Sequence, residues 1–421
     1  MRVAVIGAGI VGVTTAYELA ADGHEVSVFE RRAAVATETS FANAGVLAPG
    51  YVTPWAAPGM PRKVLSQLFD RHAAVRLGGW DSLRLLPWMW RWWRACQPEV
   101  YRRNRGAMQA LAHYSRQRLQ TLADALRLDF EQASGYLVLL RGKPELKAAR
   151  TSLEVLKELG VPYRLVDGDE ARRVEPGLNP QQPLAGAIHL AQDGVGNCRQ
   201  FAQLLRAEAQ KLQARFRFEH EVLQLRPGPR PQLSWRHGGR SGEDAFDAVV
   251  VCAGVEANAV LRDCGLQLPL APVHGYSITA TLRPVEGHVV GPRSAVMDEA
   301  YKVALSRLGQ RLRVAGSAEL GGPLARISPA PVATLYRVLD DWFPGAVLTR
   351  DAQLWKGARP MLPDGPPVLG ASGADGVWLN LGHGSSGWAL SCGSARVLAD
   401  LLAGREAGID LAPLGLQRLR G

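Results

Sequence analysis

The sequence predicts an α/β protein built around a parallel sheet, because one local pattern occurs three times along the chain. A short buried strand that ends in a turn of small residues occurs at residues 2–12, 246–254 and 376–388. Two of these turns open a helix, one running to about Ala21 and the other through about Leu402. Short strands rich in β-branched residues that alternate with helices are typical of a buried parallel sheet.

Length and composition agree with a folded protein of more than one domain. The chain has 421 residues, of which 47% are hydrophobic and 21% charged, and at roughly 150 residues per domain we expect two or three domains. The five cysteines form no Cys-x-x-Cys pair, which argues against a zinc site or a disulfide framework. No run of roughly 20 uncharged apolar residues occurs, so we expect no membrane-spanning helix.

The first turn has the glycine pattern of a dinucleotide-binding site. Gly7 permits the tight turn, Gly9 lets the backbone approach a pyrophosphate, and Gly12 lets the helix pack closely on the strand. Glu30 ends the next strand and is placed to accept hydrogen bonds from an adenosine ribose. An acid at this position argues against a ribose 2′-phosphate, while the neighbouring Arg31 leaves that question open. The pattern predicts a Rossmann-type site and does not separate NAD from FAD.

Two later turns are expected to face the same ligand. Gly254 closes the second strand, and a glycine-rich motif opens the C-terminal helix, whose dipole would stabilise negative charge on a reduced isoalloxazine ring. Two glycine-rich helix starts, one near each end of the chain, suit a bulky ligand such as FAD. The alternative for His383 is a loop histidine that only caps the helix. The candidate flavin contacts in the motif are Gly382, His383, Gly384, Ser386 and Gly387.

Four segments in order along the chain resemble the D-amino-acid oxidase superfamily of FAD-dependent oxidoreductases, and within it the bacterial D-amino acid dehydrogenase small subunits. These segments are residues 38–61, 297–320, 357–370 and 378–402. The resemblance implies non-covalent FAD and two discontinuous domains, a Rossmann-type FAD-binding domain and an α+β substrate domain with an antiparallel sheet. The implied FAD-binding domain comprises residues 1–85, 186–270 and 353–421, and the implied substrate domain comprises residues 86–185 and 271–352.

The resemblance also implies which residues bind the substrate. Arg359 matches the arginine that grips the substrate carboxylate, which suits the bidentate fork of a guanidinium. The alternative is a structural arginine held by Asp364. Tyr276 and Tyr301 are candidates to hydrogen-bond the carboxylate or cap the pocket, with a buried structural tyrosine as the alternative for each.

Other positions are implied to line the flavin or are weaker substrate candidates. Ser40, Asn43, Ala44 and Gly45 match the superfamily's flavin-lining loop. Arg307 and Arg313 are more typical of exposed strand residues than of ligands. Glycine-oxidase-like members carry an arginine inside the last glycine motif, and its absence here argues against a glycine oxidase. No metal site is expected.

The positive charge of the chain is concentrated in one segment. Of the formal net charge of +10, residues 62–118 carry +9, with twelve Arg or Lys against three acids. Within this segment, residues 80–94 hold five Trp and three Arg, which is the composition of an interfacial anchor. We expect a helix starting at Pro87 that contacts a membrane surface or a partner, and the alternative is a helix whose tryptophans are core.

The function that the resemblance implies is FAD-dependent oxidative deamination of D-amino acids to 2-oxo acids and ammonia. The electrons would pass from the flavin to a respiratory acceptor such as a quinone, in the cytoplasm or at the inner face of the bacterial cell membrane. Alternatives in the same superfamily are a D-proline or hydroxyproline dehydrogenase and an oxygen-using oxidase. More distant alternatives are a tRNA-associated flavoprotein and a non-catalytic flavin-binding subunit. No nucleic-acid partner is expected, because the basic segment lacks Lys-rich arms that track phosphates.

Overall fold

The computed structural model describes residues 1–66, 70, 72–284 and 290–419. Its α-helices are α1 (Ile10–Ala21), α2 (Met60–Ser66), α3 (Leu86–Ala95), α4 (Pro98–Leu126), α5 (Lys143–Glu158), α6 (Gly168–Val174), α7 (Cys198–Lys211), α8 (Ala257–Val260), α9 (Pro329–Trp342) and α10 (Gly387–Leu402). In the described part of the chain, no helix has both the length and the apolar character needed to span a membrane.

The strands follow in chain order. They are β1 (Arg2–Ile6), β2 (Glu25–Phe29), β3 (Val46–Leu47), β4 (Val75–Leu77), β5 (Ala133–Leu140), β6 (Arg164–Val166), β7 (Gly186–Val195), β8 (Arg215–Arg217), β9 (Glu221–Arg226), β10 (Gln232–His237), β11 (Arg240–Ala245), β12 (Ala248–Val251), β13 (Ala271–Thr281), β14 (Ala295–Asp298), β15 (Val303–Leu308), β16 (Arg311–Leu320), β17 (Gln353–Met361), β18 (Val368–Ala371) and β19 (Val377–Leu381).

The first sheet contains the three patterns found in the sequence. Its strand order is β18-β19-β12-β1-β2-β8, and every pair is parallel except β18 with β19. The helices α1, α7 and α10 pack on one face of this sheet. Apolar residues of the small antiparallel sheet β9–β11 pack on the other face. The predicted Rossmann-type unit is confirmed, and the carboxyl ends of β1, β12 and β19 meet at one edge.

The second sheet is mostly antiparallel, as the resemblance implied. Its strand order is β17-β13-β16-β15-β14-β5-β7-β3, with β4 added at β16 and β6 at β7. The helix α9 packs on one face of β13, β15 and β16, and the contacts bury Trp342 completely. The expected α/β class with an antiparallel second sheet is therefore confirmed.

The domain boundaries predicted from the sequence remain a prediction, and the strand pairing bears on them directly. Four strands that fall inside the predicted FAD-binding segments, namely β3, β4, β7 and β17, pair in the second sheet. The long helix α4, placed by prediction in the substrate domain, packs on α10 and is joined to α1 through Arg118 and Glu18. Strand pairing depends on partners far apart in sequence, so these assignments were not available from local patterns.

Candidate active site

Three glycine turns follow the carboxyl ends of β1, β12 and β19. Gly7 has a φ of +101°, and a Cβ at this position would lie 2.7 Å from the carbonyl oxygen of Cys252. A Cβ on Gly12 would lie 1.9 Å from the carbonyl oxygen of Gly7. Side chains are therefore excluded at both positions, and α1 packs directly on the turn. Gly254 and Gly382, in the other two turns, also have positive φ values.

The N-terminus of α1 fits an anionic group. Gly9 is the N-cap and has no side chain of its own to cap the helix, and the first turn contains no acid. A Cβ on Gly9 would contact only the hydroxyl oxygen of Ser40, at 3.5 Å, and the N–H of Ile10 donates to that hydroxyl at 3.0 Å. An open helix N-terminus beside a bare glycine can receive a pyrophosphate on its N–H groups.

Glu30 is held in position at the end of β2. Its carboxylate accepts hydrogen bonds from the backbone N–H groups of Ala8 and Arg32, each at 2.8 Å. Burial raises its pKa above the usual range. Each carboxylate oxygen keeps a further lone pair for a ribose hydroxyl. Arg31 instead pairs with Glu38 at 2.8 Å.

The C-terminal glycine motif leads into α10, and its histidine packs against that helix. Residues Gly384–Ser386 form a 3-10 turn before α10, which has neither a capping side chain nor an acid in its first turn. The His383 ring is buried, with Nε2 3.0 Å from the hydroxyl of Ser394 in α10, and burial lowers its pKa to about 3. This contact with α10 is what the alternative interpretation expects, and flavin contact by His383 stays a prediction. Any flavin contact from Gly382, Gly384, Ser386 or Gly387 would come from the open helix start.

The loop predicted to line the flavin is tied to the second sheet. Ser277 donates to the carbonyl of Ala42 at 2.8 Å, and Arg313 donates to the carbonyl of Asn43 at 3.1 Å. Thr39 donates to a carbonyl of β17 at 2.6 Å. We call the side of the second sheet that faces this loop the front face. The loop contains the four residues that are predicted to line the flavin, namely Ser40, Asn43, Ala44 and Gly45.

Arg359 lies on the front face, where its side chain is half-buried and its guanidinium is desolvated. Strand β17 pairs with β13 so that Trp355 lies opposite Ser277, and Arg359, four residues further along, points to the same side. Its Nη1 donates to the carbonyl of Ser317 at 2.8 Å, its guanidinium lies 6.0 Å from the Trp55 ring, and burial lowers its pKa to about 10. Within the described residues, no carboxylate pairs with it.

Asp364 does not hold Arg359 as the alternative interpretation expected, and the role of Arg359 in carboxylate binding stays a prediction. Asp364 pairs with Arg418 instead, at 2.8 Å. Burying a protonated guanidinium without an acidic partner raises the free energy of the folded state. Such a group on a face that meets a ligand-lining loop is a candidate for anion binding.

Tyr276 lies on the opposite side of the sheet from Arg359. Successive side chains of a strand alternate between faces, and Tyr276 packs in the buried cluster beneath α9. Its hydroxyl donates to the carboxylate of Glu319 at 3.0 Å, and Lys356 donates to the same carboxylate at 2.8 Å. The structure therefore matches the alternative of a buried tyrosine with a satisfied hydroxyl and separates Tyr276 from the candidate carboxylate site.

Tyr301 and Arg307 also lie away from Arg359. The Tyr301 ring packs against the cluster beneath α9, 4.9 Å from the Arg141 guanidinium. Arg307 donates to the carbonyl of Val290 at 3.2 Å. Arg313 is on the front face, and burial lowers its pKa to about 10. A cavity of about 280 Å³ beside it is lined by Phe41, Ala42, Thr279, Arg313, Gln353, Leu354 and Trp355.

The tryptophan-rich helix α3 has a buried side and an exposed side. Trp88 is buried and donates to the carbonyl of Met361 at 3.1 Å, so this tryptophan is core, beside the strand that carries Arg359. Trp90 and Trp93 are 57% and 52% exposed, and their rings lie 5.0 Å apart. The core alternative therefore holds for Trp88, and contact of the exposed side with a membrane surface or a partner stays a prediction.

The parallel sheet with three glycine turns, joined by a loop to an antiparallel sheet that carries a buried cation, defines a flavin-dependent oxidoreductase. The chain belongs to the FAD dependent oxidoreductase family, whose model matches residues 2–401. FAD is accordingly its cofactor, and the open helix starts and Glu30 fit that group.

Curated relatives match over nearly the full chain. A D-amino acid dehydrogenase of Cereibacter sphaeroides is 44% identical over 99% of this chain and 95% of its own length. A D-amino acid dehydrogenase of Rhizobium rhizogenes is 40% identical over 99% of this chain and 100% of its own length.

Solved structures of lower identity share the fold. Glycine oxidase from Geobacillus kaustophilus has a TM-score of 0.73 at 24% identity, covering 99% of this chain and 98% of its own. L-proline dehydrogenase from P. horikoshii has a TM-score of 0.72 at 18% identity, covering 99% of this chain and 98% of its own. These two likenesses support the architecture and carry no argument about the substrate.

Proposed function

We propose that the protein is an FAD-dependent D-amino acid dehydrogenase, which converts D-amino acids to 2-oxo acids and ammonia and passes the electrons to a respiratory acceptor such as a quinone. The observation that carries the proposal is Arg359, a buried guanidinium without an acidic partner among the described residues, on the face that meets the flavin-lining loop. The names of the curated relatives support the substrate class and its D configuration.

The residues of the site have distinct roles in this proposal. FAD, when bound, supplies the chemistry by accepting the hydride from the substrate's α-carbon. Arg359 binds the substrate carboxylate through two parallel N–H···O bonds and fixes the orientation of the α-carbon. Its positive charge also disfavours a second cation nearby, so the neutral form of the α-amine, which the reaction needs, is favoured. Glu30 holds the adenosine ribose, and the start of α1 holds the pyrophosphate.

The decisive experiment is anaerobic mixing of the holoenzyme with D- and L-amino acids, proline and hydroxyproline included, followed through loss of visible flavin absorbance. Bleaching by several D-amino acids and by none of their L-forms would support the proposal. Bleaching by cyclic imino acids alone would replace it with the proline or hydroxyproline dehydrogenase. A flavin that no amino acid reduces would contradict it. Slow reoxidation in air is expected for a dehydrogenase, whereas fast reoxidation would indicate an oxidase.

The exposed side of α3 supports a second part of the proposal, contact with the anionic inner face of the cell membrane. Leu86, Trp90 and Trp93 are each more than half exposed, and the arginines of α3, Arg91 and Arg94, are exposed beside them. Indole rings favour the headgroup layer and arginines favour anionic lipid. This location would place the enzyme beside a membrane-bound acceptor.

Replacing Trp90 and Trp93 together by serine is expected to weaken binding to anionic lipid vesicles by roughly 30- to 800-fold, because each indole contributes about 1–2 kcal/mol of burial in the interface. Vesicle co-sedimentation measures the effect. The matched control is Leu223→Ser, a 49% exposed apolar residue of the small sheet β9–β11, which should leave binding unchanged. Equal binding by the Trp90/Trp93 variant and the wild type would contradict membrane contact through α3.

A further inference from the structure

Two glycines pair across β13 and β17 beside Arg359 and leave the front face without side chains at that point. Gly275 of β13 lies directly opposite Gly357 of β17. A Cβ on Gly275 would lie 2.3 Å from Nη2 of Arg359. A Cβ on Gly357 would lie 1.8 Å from Cη2 of Trp355. The guanidinium and the indole therefore occupy the two places that side chains would otherwise take.

The pairing places these two groups side by side. Cβ positions of residues opposite each other in an antiparallel pair are about 5 Å apart. Since the guanidinium of Arg359 covers one position and the benzo edge of Trp355 covers the other, a molecule bound to Arg359 meets the indole directly. Both side chains are half-buried, so the face remains reachable.

The backbone around Arg359 is shaped to hold the guanidinium. The pairing of β13 with β16 shifts between His274 and Tyr276, which is a β-bulge next to Gly275. The extra residue is on β16, where Ser317 and Ala318 lie opposite Gly275. Ser317 has a φ of +60°, which is strained for a residue with a Cβ, and its carbonyl accepts from Arg359 at 2.8 Å. Bulges and strained residues commonly re-aim groups at functional sites.

We propose that Trp355 determines the substrate specificity of the enzyme by forming the wall against which the substrate side chain packs. In this proposal Gly275 and Gly357 form the floor of the site: because they lack side chains, the Trp355 indole and the Arg359 guanidinium can lie side by side above them. An apolar ring beside the anchor selects D-amino acids with uncharged side chains of small or medium size. The inference rests on the proposed function, since it takes Arg359 as the carboxylate anchor.

The competing explanation for Trp355 is structural. Strand β17 is at the edge of its sheet, and an aromatic ring that covers an edge glycine can stabilise the strand without touching a ligand. The chain contains a matched case away from the front face, because a Cβ on Gly242 would lie 2.3 Å from the ring of Trp235 in the small sheet β9–β11. Trp235 and Gly242 therefore supply controls in which an indole also covers a glycine, here across a strand pair instead of along one strand.

The test compares kcat/KM of the holoenzyme for D-phenylalanine and D-alanine. Trp355→Ala should raise the ratio of the D-phenylalanine value to the D-alanine value by about tenfold or more, because the indole restricts the space for the bulky side chain and not for a methyl group. Trp235→Ala should leave the ratio unchanged. If Trp355→Ala does not yield holoenzyme, Trp355→Phe keeps a smaller ring over the glycine and should shift the ratio in the same direction.

A second measurement tests whether Gly275 must lack a side chain for Arg359 to bind the substrate. Gly275→Ala displaces the guanidinium, so the substrate concentration for half-maximal rate of anaerobic flavin reduction should rise by about tenfold for both substrates alike. Gly242→Ala should not change it. Unchanged ratios in the Trp355 variants, with a lowered unfolding temperature, would overturn the inference in favour of the structural role. A wild-type flavin that no D-amino acid reduces would instead contradict the proposed function itself.

Discussion

Replacing Arg359 by leucine is expected to lower kcat/KM for D-amino acids by roughly 30- to 5,000-fold. Removing one partner of a buried, hydrogen-bonded charge pair costs about 2–5 kcal/mol, and each 1.36 kcal/mol is tenfold in rate. The pKa of Arg359, lowered by burial to about 10, still leaves the group protonated at neutral pH. Steady-state kinetics with a D-amino acid and an artificial electron acceptor measure the loss.

The charge and the shape of Arg359 can be tested separately. Arg359→Lys keeps a cation but loses the planar fork, so it should fall between the wild type and the leucine variant. The control is Arg337→Leu, an exposed arginine of α9 whose guanidinium lies near Tyr301 and away from Arg359. That variant should leave kcat/KM unchanged.

Stability distinguishes a binding arginine from a structural one. Because the fold desolvates Arg359 without supplying an acidic partner among the described residues, the apolar leucine should leave the unfolding temperature of the protein unchanged or raise it. A structural arginine would show the reverse, a lower unfolding temperature with retained turnover. That result would also favour the non-catalytic flavin-binding subunit over the enzyme.

Local sequence patterns were sufficient for the dinucleotide-binding edge. The strand expected at the start of the pattern at residues 2–12 is observed as Arg2–Ile6, and the helix expected to end near Ala21 ends there. Glycine sterics, β-branched strands and the helix start act over a few residues, so the printed sequence contains the information. The same reasoning gave the end of the last helix, predicted near Leu402 and observed at that residue.

The substrate side could not be derived in the same way. Whether Tyr276 faces α9 or the loop that is predicted to line the flavin depends on the register of β13 against β16, and a change of one residue would reverse it. The bulge beside Gly275 is part of that register. The arrangement of Gly275, Gly357 and Trp355 exists only once β13 and β17 are paired. In the sequence these residues carried no signal, apart from the spacing that puts Trp355 and Arg359 on one face of a strand.

One buried carboxylate joins three helices of the structure. Glu18 of α1 has no exposed surface. It accepts hydrogen bonds from Arg118 of α4 at 2.6 and 2.8 Å and from Arg396 of α10 at 2.8 Å. Since α1 begins at the glycine turn of the cofactor site, this cluster also supports the helix whose N-terminus would hold the pyrophosphate.

Glu18→Gln is accordingly expected to lower the free energy of unfolding by about 3 kcal/mol, because it leaves the Arg118 guanidinium without its carboxylate, while Arg396 keeps Asp22 and Asp400. Denaturant unfolding of the holoenzyme measures the change, and the fraction of protein that retains FAD should fall with it. The control is Glu221→Gln, which removes an exposed ion pair with Arg236 and should cost less than about 1 kcal/mol. Equal costs for the two variants would show that the cluster contributes no more than a surface pair. A double replacement of Glu18 and Arg118 by leucine should recover much of the loss, because it removes the unpaired guanidinium together with the carboxylate and leaves Arg396 paired with Asp22 and Asp400.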